Sequence, residues 1–251
     1  MGRFSSTANT YARYREPYTP EFFSTVAREL QFGKSDKLLD VACGPGLLAI
    51  GFAPSVARVE GVDPEPNMLA AAREAAANAG TALSLHKSRL EDFVSSNAFD
   101  VITIGRALHW LDRDPAIAAL DRLLAPAGRI LVCGASTDRD LTPWAKLFIE
   151  VRERYAALDH SHYGLDGTDF FAGSPLHKVT EIRVPHLQTT PLEDVIQRSH
   201  TMSNTSPEVI GDRRADLERE LRALLTPYAH NGNLEEHITG VASVFARSAL
   251  S

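Results

Sequence analysis

The chain is predicted to fold as a doubly wound α/β domain on a mostly parallel, seven-stranded sheet, with a helical cover inserted late. Three observations predict it. From Lys37 to Ser136 short apolar runs alternate with helical stretches across short gaps, as in parallel βαβ units. The first run leads directly into a Gly-Pro-Gly turn and then a helix. Beyond Ser136 the rhythm becomes mainly helical, with two further strand-like stretches.

The elements follow in order. Lys37 to Ala42 reads as the first strand, ended by Gly44-Pro45-Gly46, and Leu47 to Ala53 as a helix stopped by Pro54. Arg58 to Asp63 is the second strand, closed by Pro64. Asn67 to Ala79 is Ala-rich and strongly helical, with Gly80 where a C-terminal cap belongs. Leu83 to His86 is a third strand, and Phe99 to Ile104 a fourth, apolar on both faces as a central parallel strand should be. Pro115 to Leu124 is a helix ending at Pro126-Ala127-Gly128, before a fifth strand at Arg129 to Cys133. Trp144 to Leu158 reads as an amphipathic helix and His160 to Gly173 as a loop. Val179 to Val184 alternates like a strand, Pro191 to Tyr228 is mostly helical with a break at 203–207, and His237 to Phe245 is a final strand. The expected division of this single domain (1–251) is an N-terminal helical lid at 1–35 and a cofactor-binding core at 36–136. An acceptor-side cover at 137–235 carries one core strand, and the final strand occupies 236–251.

Composition narrows the function. With 44% hydrophobic and 23% charged residues the chain is ordinary globular material. A net charge of -6 disfavours a partner held through phosphates, so no nucleic acid is expected. No stretch approaches the roughly 18 apolar residues of a membrane span, and no apolar run follows Arg3 as a signal peptide requires. Cys43 and Cys133 are too few for a disulfide framework or a zinc knuckle. A cytoplasmic protein with reduced thiols, without a membrane partner, is the expectation.

The informative cluster is Asp40-Val41-Ala42-Cys43-Gly44-Pro45-Gly46, between a strand and a helix. Gly44 and Gly46 let the backbone turn tightly and admit a ligand close to it. Asp63 ends the next strand, about twenty residues on, where an acid can accept both hydroxyls of an adenosine ribose. Two ligand classes use this geometry. Gly44-x-Gly46-x-x-Ala49 satisfies the dinucleotide fingerprint, so a nicotinamide oxidoreductase is one reading. Asp40 argues against it, because a carboxylate at the glycine turn repels a pyrophosphate and attracts an ammonium.

At this point the chain resembles a known family. Leu38 through Gly46 is similar to the first motif of the class I methyltransferases, which are Rossmann-like enzymes using S-adenosyl-L-methionine. Val62-Asp63-Pro64 with Asn67-Met68-Leu69 resembles the second motif, in which the strand-end acid holds the ribose and the Met packs on adenine. Ser88-Arg89-Leu90-Glu91-Asp92-Phe93 is similar to the segment that borders the adenine. Phe99-Asp100-Val101 through Arg106-Ala107-Leu108-His109-Trp110 resembles the fourth-strand motif of the small-molecule subgroup that includes trans-aconitate methyltransferase-like proteins. Tyr11-Ala12-Arg13-Tyr14-Arg15-Glu16-Pro17-Tyr18 looks like that subgroup's lead-in. The resemblance covers Tyr11 to about Ser136 and the remainder only in outline. Ala42 departs from it, standing where the family often has its first glycine.

The resemblance implies a methyltransferase with S-adenosyl-L-methionine as cofactor and a small-molecule acceptor. Implied cofactor residues are Tyr11, Arg15, Asp40, Ala42, Cys43, Gly44, Gly46, Asp63, Pro64, Met68, Arg89, Leu90, Glu91, Arg106 and Ala107. This cofactor carries its own leaving group, so alignment of the acceptor is the protein's main task. An acceptor that carries a proton would benefit from a base, and His109, after the fourth strand, is the candidate. A plain wall formed with Trp110 is the competing role. Trp110, Tyr14 and His200 are candidates to face the acceptor. His160-Ser161-His162-Tyr163 with Asp166 and Asp169 lacks the four well-spaced ligands of a structural zinc site, so no metal is expected. The absence of a certain base leaves a cofactor-binding protein without turnover as a third reading. Acceptor identity and oligomeric state are not written in the pattern.

Overall fold

The computed structural model describes residues 13–156, 166–202 and 204–248. Seven strands form one sheet: β1 (Lys37–Val41), β2 (Arg58–Asp63), β3 (Ser84–Lys87), β4 (Phe99–Gly105), β5 (Leu124–Thr137), β6 (Leu176–Pro191) and β7 (Asn233–Arg247). Their order is β3-β2-β1-β4-β5-β7-β6. The pairs from β3 through β5 are parallel, and β7 runs antiparallel to both β5 and β6. The strand order reverses between β1 and β4, and in an open α/β sheet a crevice opens there, outside the carboxyl ends of the strands.

Alternation along the central strands sends side chains to opposite faces. Leu39, Val41, Ile102, Ile104, Ile130 and Val132 join one buried cluster, together with α4 (Arg113–Leu123). Leu38, Val101, Leu131 and Cys133 join the other, against α1 (Pro20–Glu29) and α2 (Leu47–Phe52). The sheet is therefore covered on both sides, as predicted. Helix α1 starts where Thr19 Oγ1 accepts from the Phe22 amide at 3.2 Å and Pro20 occupies the first helical position. The ring of Phe23 lies directly on Gly51 of α2, where any Cβ would come within 2.1 Å of it. Helix α3 (Pro66–Asn78) buries Met68, Leu69, Ala72 and Ala76.

A third cluster belongs to the cover. Trp144 joins α5 (Ala145–Tyr155), α7 (Leu192–Arg198) and α9 (Arg214–Leu225) around Phe148, Val195, Ile196, Leu217 and Leu221. Two short helices, α6 (Thr168–Phe171) and α8 (Pro207–Ile210), complete the described helices of four residues or more.

Several boundaries differ from the sequence reading. The fifth strand begins at Leu124, not Arg129: Phe99 pairs with Leu124 and Val101 with Arg129, so residues 125–128 form an irregularity inside the strand. The last two strands are far longer than their apolar cores. Each satisfies the other's backbone over almost its whole length, and polar residues such as Gln188, Thr189 and Glu235 are carried along. The final strand thus starts at Asn233, ahead of the expected 236. The expected lid over 1–35 also divides. Helix α1 is a core helix with Phe22 and Val26 buried, while residues 13–18 run towards the crevice and 1–12 lie outside the described residues. The expected loop at 160–173 contains α6 in its described part.

Candidate functional site

A cavity of about 510 Å³ opens at the carboxyl ends of β1, β2 and β4, a size typical of small-molecule sites. Its floor is the turn after β1. Gly44 and Gly46 adopt φ of 53° and 82°, and Ala42 is also left-handed at 49°. A left-handed alanine costs about 1–2 kcal/mol, so the turn is fixed by its surroundings and the departure from glycine leaves its geometry intact. The amide of Cys43 donates to Val62 O at 3.1 Å and that of Gly46 to Cys43 O at 2.9 Å.

Two carboxylates stand at this turn. Asp40 is 2% exposed; Oδ1 accepts from Thr103 Oγ1 at 2.7 Å and Oδ2 from the Ala49 amide at 3.1 Å. Burial pushes its carboxyl up to about 7, against these two hydrogen bonds, and the nearby Asp63 charge adds to the rise. Asp63 accepts from the Gly44 amide at 2.9 Å and the Glu65 amide at 2.8 Å, and burial raises its carboxyl too. All four donors are neutral, so the wall is anionic whenever both acids are ionised. Each oxygen keeps a lone pair for a further donor.

At one end of the cavity stand Met68, Ser88, Arg89, Leu90 and Glu91. Arg89 bridges Glu91 at 3.2 Å and Asp112 at 3.0 Å. Glu91 Oε1 is buried and accepts no hydrogen bond from the described residues, a place where a donor belongs. At the other end are Tyr18, Arg106, Ala107 and Trp110. Arg106 has φ 55°, lies 4.8 Å from the centre of the Tyr18 ring, and donates to Glu16 O at 2.6 Å. Trp110 is 41% exposed.

Most of the expected cofactor residues therefore meet: Asp40, Ala42, Cys43, Gly44, Asp63, Pro64, Met68, Arg89, Leu90, Glu91, Arg106 and Ala107 all line the cavity. Gly46 shapes it from behind, as the left-handed residue before α2. Burial and the two aspartates push the Cys43 thiol well up, away from the thiolate.

Several expectations fall elsewhere. His200 does not face the cavity; it is buried in the cover, with Nε2 2.9 Å from Glu218 Oε1, because the cover has its own core. Arg15 does not line the cavity either, and its Nη1 lies 3.0 Å from Met202 Sδ. Tyr14 contributes its carbonyl to Arg198 Nε at 2.9 Å, with Arg13 over its ring. His109 is absent from the cavity wall, and its ring is tilted against Trp110 at 4.8 Å. Tyr11 and residues 160–163 lie outside the described residues. Asp166 instead pairs with Lys178 at 2.7 Å, and among the described residues no group of three or more His, Cys, Asp or Glu could hold a metal ion.

Sequence reasoning missed Thr103 and Tyr18. Thr103 is a polar residue inside an apolar central strand, and a buried hydroxyl there requires a partner. Tyr18 sat within the lead-in segment with nothing to separate it from its neighbouring tyrosines.

Comparison with known proteins agrees with this arrangement. Residues 39–132 match a family model described as a methyltransferase domain. Over that stretch the chain is similar to methyltransferase domains. An uncharacterized methyltransferase of Schizosaccharomyces pombe is 32% identical over 137 residues, 51% of each chain. A ubiquinone biosynthesis O-methyltransferase of Vibrio atlanticus is 39% identical over 102 residues, 39% of this chain and 42% of the relative. The chain thus spans about half or less of the length of these relatives. A solved S-adenosylmethionine-dependent methyltransferase of Thiobacillus denitrificans, in complex with S-adenosyl-L-homocysteine, is 18% identical and covers 99% of both chains with a TM-score of 0.60. This likeness shows that the methyltransferase fold extends through the cover to the last strands.

Proposed function

We propose that this protein is an S-adenosyl-L-methionine-dependent methyltransferase acting on a small-molecule acceptor. The observation that carries the reading is the pair of buried acids, Asp40 and Asp63, at a glycine turn with only neutral donors around them. A cleft with that charge favours a ligand bearing an ammonium and a sulfonium, and opposes the pyrophosphate of a nicotinamide dinucleotide.

The residues present fit such a ligand. Asp63 accepts the ribose hydroxyls, Asp40 faces the ammonium, and Met68 and Leu90 offer apolar surface to the adenine. Glu91 Oε1, a buried acceptor awaiting a donor, suits the adenine amino group. Arg106 and Ala107 border the amino-acid end, and the neighbouring Trp110 offers an exposed indole to the acceptor. When bound, the cofactor supplies a methyl on a cationic sulfur that departs as a neutral thioether. This chain's part is to orient the acceptor and keep water from the reacting centre.

Titration calorimetry on folded protein tests the reading: saturable heat with S-adenosyl-L-methionine and S-adenosyl-L-homocysteine is expected. No heat with either, or saturable binding of reduced nicotinamide dinucleotide instead, overturns it. Asp63→Ala should weaken homocysteine-product binding by about 1.5–3 kcal/mol, through loss of charge-assisted hydrogen bonds. Unchanged affinity would place the ribose elsewhere.

A further inference from the structure

One buried ion pair lies outside every motif described so far. Arg198, at the end of α7, is 2% exposed, and Glu236 on β7 is fully buried. The guanidinium meets Glu236 with both ends, Nη1 to Oε2 at 2.7 Å and Nη2 to Oε1 at 2.8 Å. Thr190 donates to Oε1 at 2.6 Å and Thr137 to Oε2 at 2.9 Å, so β5, β6 and β7 together fix this carboxylate. The fork is thereby held in one orientation.

That orientation aims Nε at another part of the chain. Arg198 Nε donates to the main-chain carbonyl of Tyr14 at 2.9 Å, and Nη1 is 3.8 Å from Glu16 Oε1. Two residues further along the same strap, Arg106 of the cavity wall donates to Glu16 O and lies over the ring of Tyr18. Residues 14–18 are thus fastened by two arginines, one from the cover and one from the cavity. Tyr18 is the strap residue that forms cavity wall. A buried ion pair is a poor device for stability alone, since apolar residues of similar volume often do as well; its merit is direction.

We propose that Arg198 is a positioning residue for cofactor binding: oriented by Glu236, it fastens the main chain at Tyr14 so that the strap, ending in Tyr18, closes the cleft. This rests on the reading of the cleft as a cofactor site. The arginine touches neither cofactor nor acceptor and acts only through the strap.

Two variants test it. Arg198→Met with Glu236→Met replaces the pair by apolar side chains of similar size, which keeps a folded core free of unpaired charge. Arg198→Lys keeps a cation for Glu236 but has no Nε to bond Tyr14. In both, trypsin cleavage after Arg13 and Arg15 should accelerate, and S-adenosyl-L-homocysteine should dissociate about tenfold faster, the scale of one lost hydrogen bond. Thermal unfolding should remain a single cooperative transition. Folded variants with wild-type cleavage and wild-type dissociation overturn the proposal. So does faster cleavage with unchanged dissociation, because the strap would then be fastened without serving the cofactor. Wild-type protein that binds no cofactor sinks the functional reading instead, while the trypsin comparison still decides whether Arg198 holds the strap.

Discussion

At the scale of single residues, Asp40 is the most informative group in the cleft. Its ionised form is opposed by burial and by Asp63, and only two neutral donors support it. Because its carboxyl titrates near 7 when folded and near 3.8 when unfolded, the folded state binds more protons across that window. Its contribution to cofactor-free stability is therefore full below about 3.8 and is lost as pH rises towards 7. Asp40→Asn can keep both contacts, with its carbonyl towards the Ala49 amide and its amide towards Thr103 Oγ1. The variant should match wild type at low pH and be the more stable of the two above pH 7, read as the difference between their denaturation midpoints. Binding should behave oppositely. Wild-type affinity for S-adenosyl-L-homocysteine should fall by up to about tenfold per pH unit below 7, as protonation removes the partner of the ammonium. In Asp40→Asn the affinity should be at least about tenfold lower at pH 8 and should lack the fall that sets in near 7 in wild type. A parallel pH profile in the two proteins would remove Asp40 from the ammonium site.

At the scale of elements, the sequence made the helices and strands of the first half legible because each carries local punctuation. Pro54, Pro64 and Gly80 mark ends that no tertiary contact has to supply. The contact between α1 and α2 had no such mark. The ring of Phe23 occupies the space a side chain at Gly51 would need, and it packs edge-on against Phe52 at 4.9 Å. Gly51→Ala raises helix propensity by about 1 kcal/mol, yet overpacking typically costs about 1–3 kcal/mol. A net loss of up to about 2 kcal/mol is expected in urea denaturation. A gain would mean that Phe23 swings aside without cost. The long β6–β7 pair was equally hidden. Its outer residues are polar, and their extended state follows from fifteen-residue pairing across the two strands, not from their own propensity.

At the scale of the whole molecule, three packed clusters meet around one cleft. A ligand that binds only this assembled state must stabilise all of it. S-adenosyl-L-homocysteine at about 100 times its dissociation constant should add about 2.7 kcal/mol and raise the melting temperature by several degrees. The cover should melt together with the core, because Arg198 and Glu236 join α7 to the sheet. Two transitions, with only one moved by ligand, would show that cover and core unfold separately.

The sequence by itself determined the glycine turn, the acids at residues 40 and 63, and the strand-helix rhythm around them. These are local: residues close in the chain, whose spacing dictates backbone conformation and puts charge at a strand end. Only the tertiary structure decided that Thr103 supports Asp40, that Tyr18 forms cavity wall, and that His200 belongs to the cover's own core. Those relations join residues between 18 and about 180 positions apart, or choose among identical side chains within one segment. The energy of such contacts depends on which surfaces meet, and no local pattern along the chain encodes that.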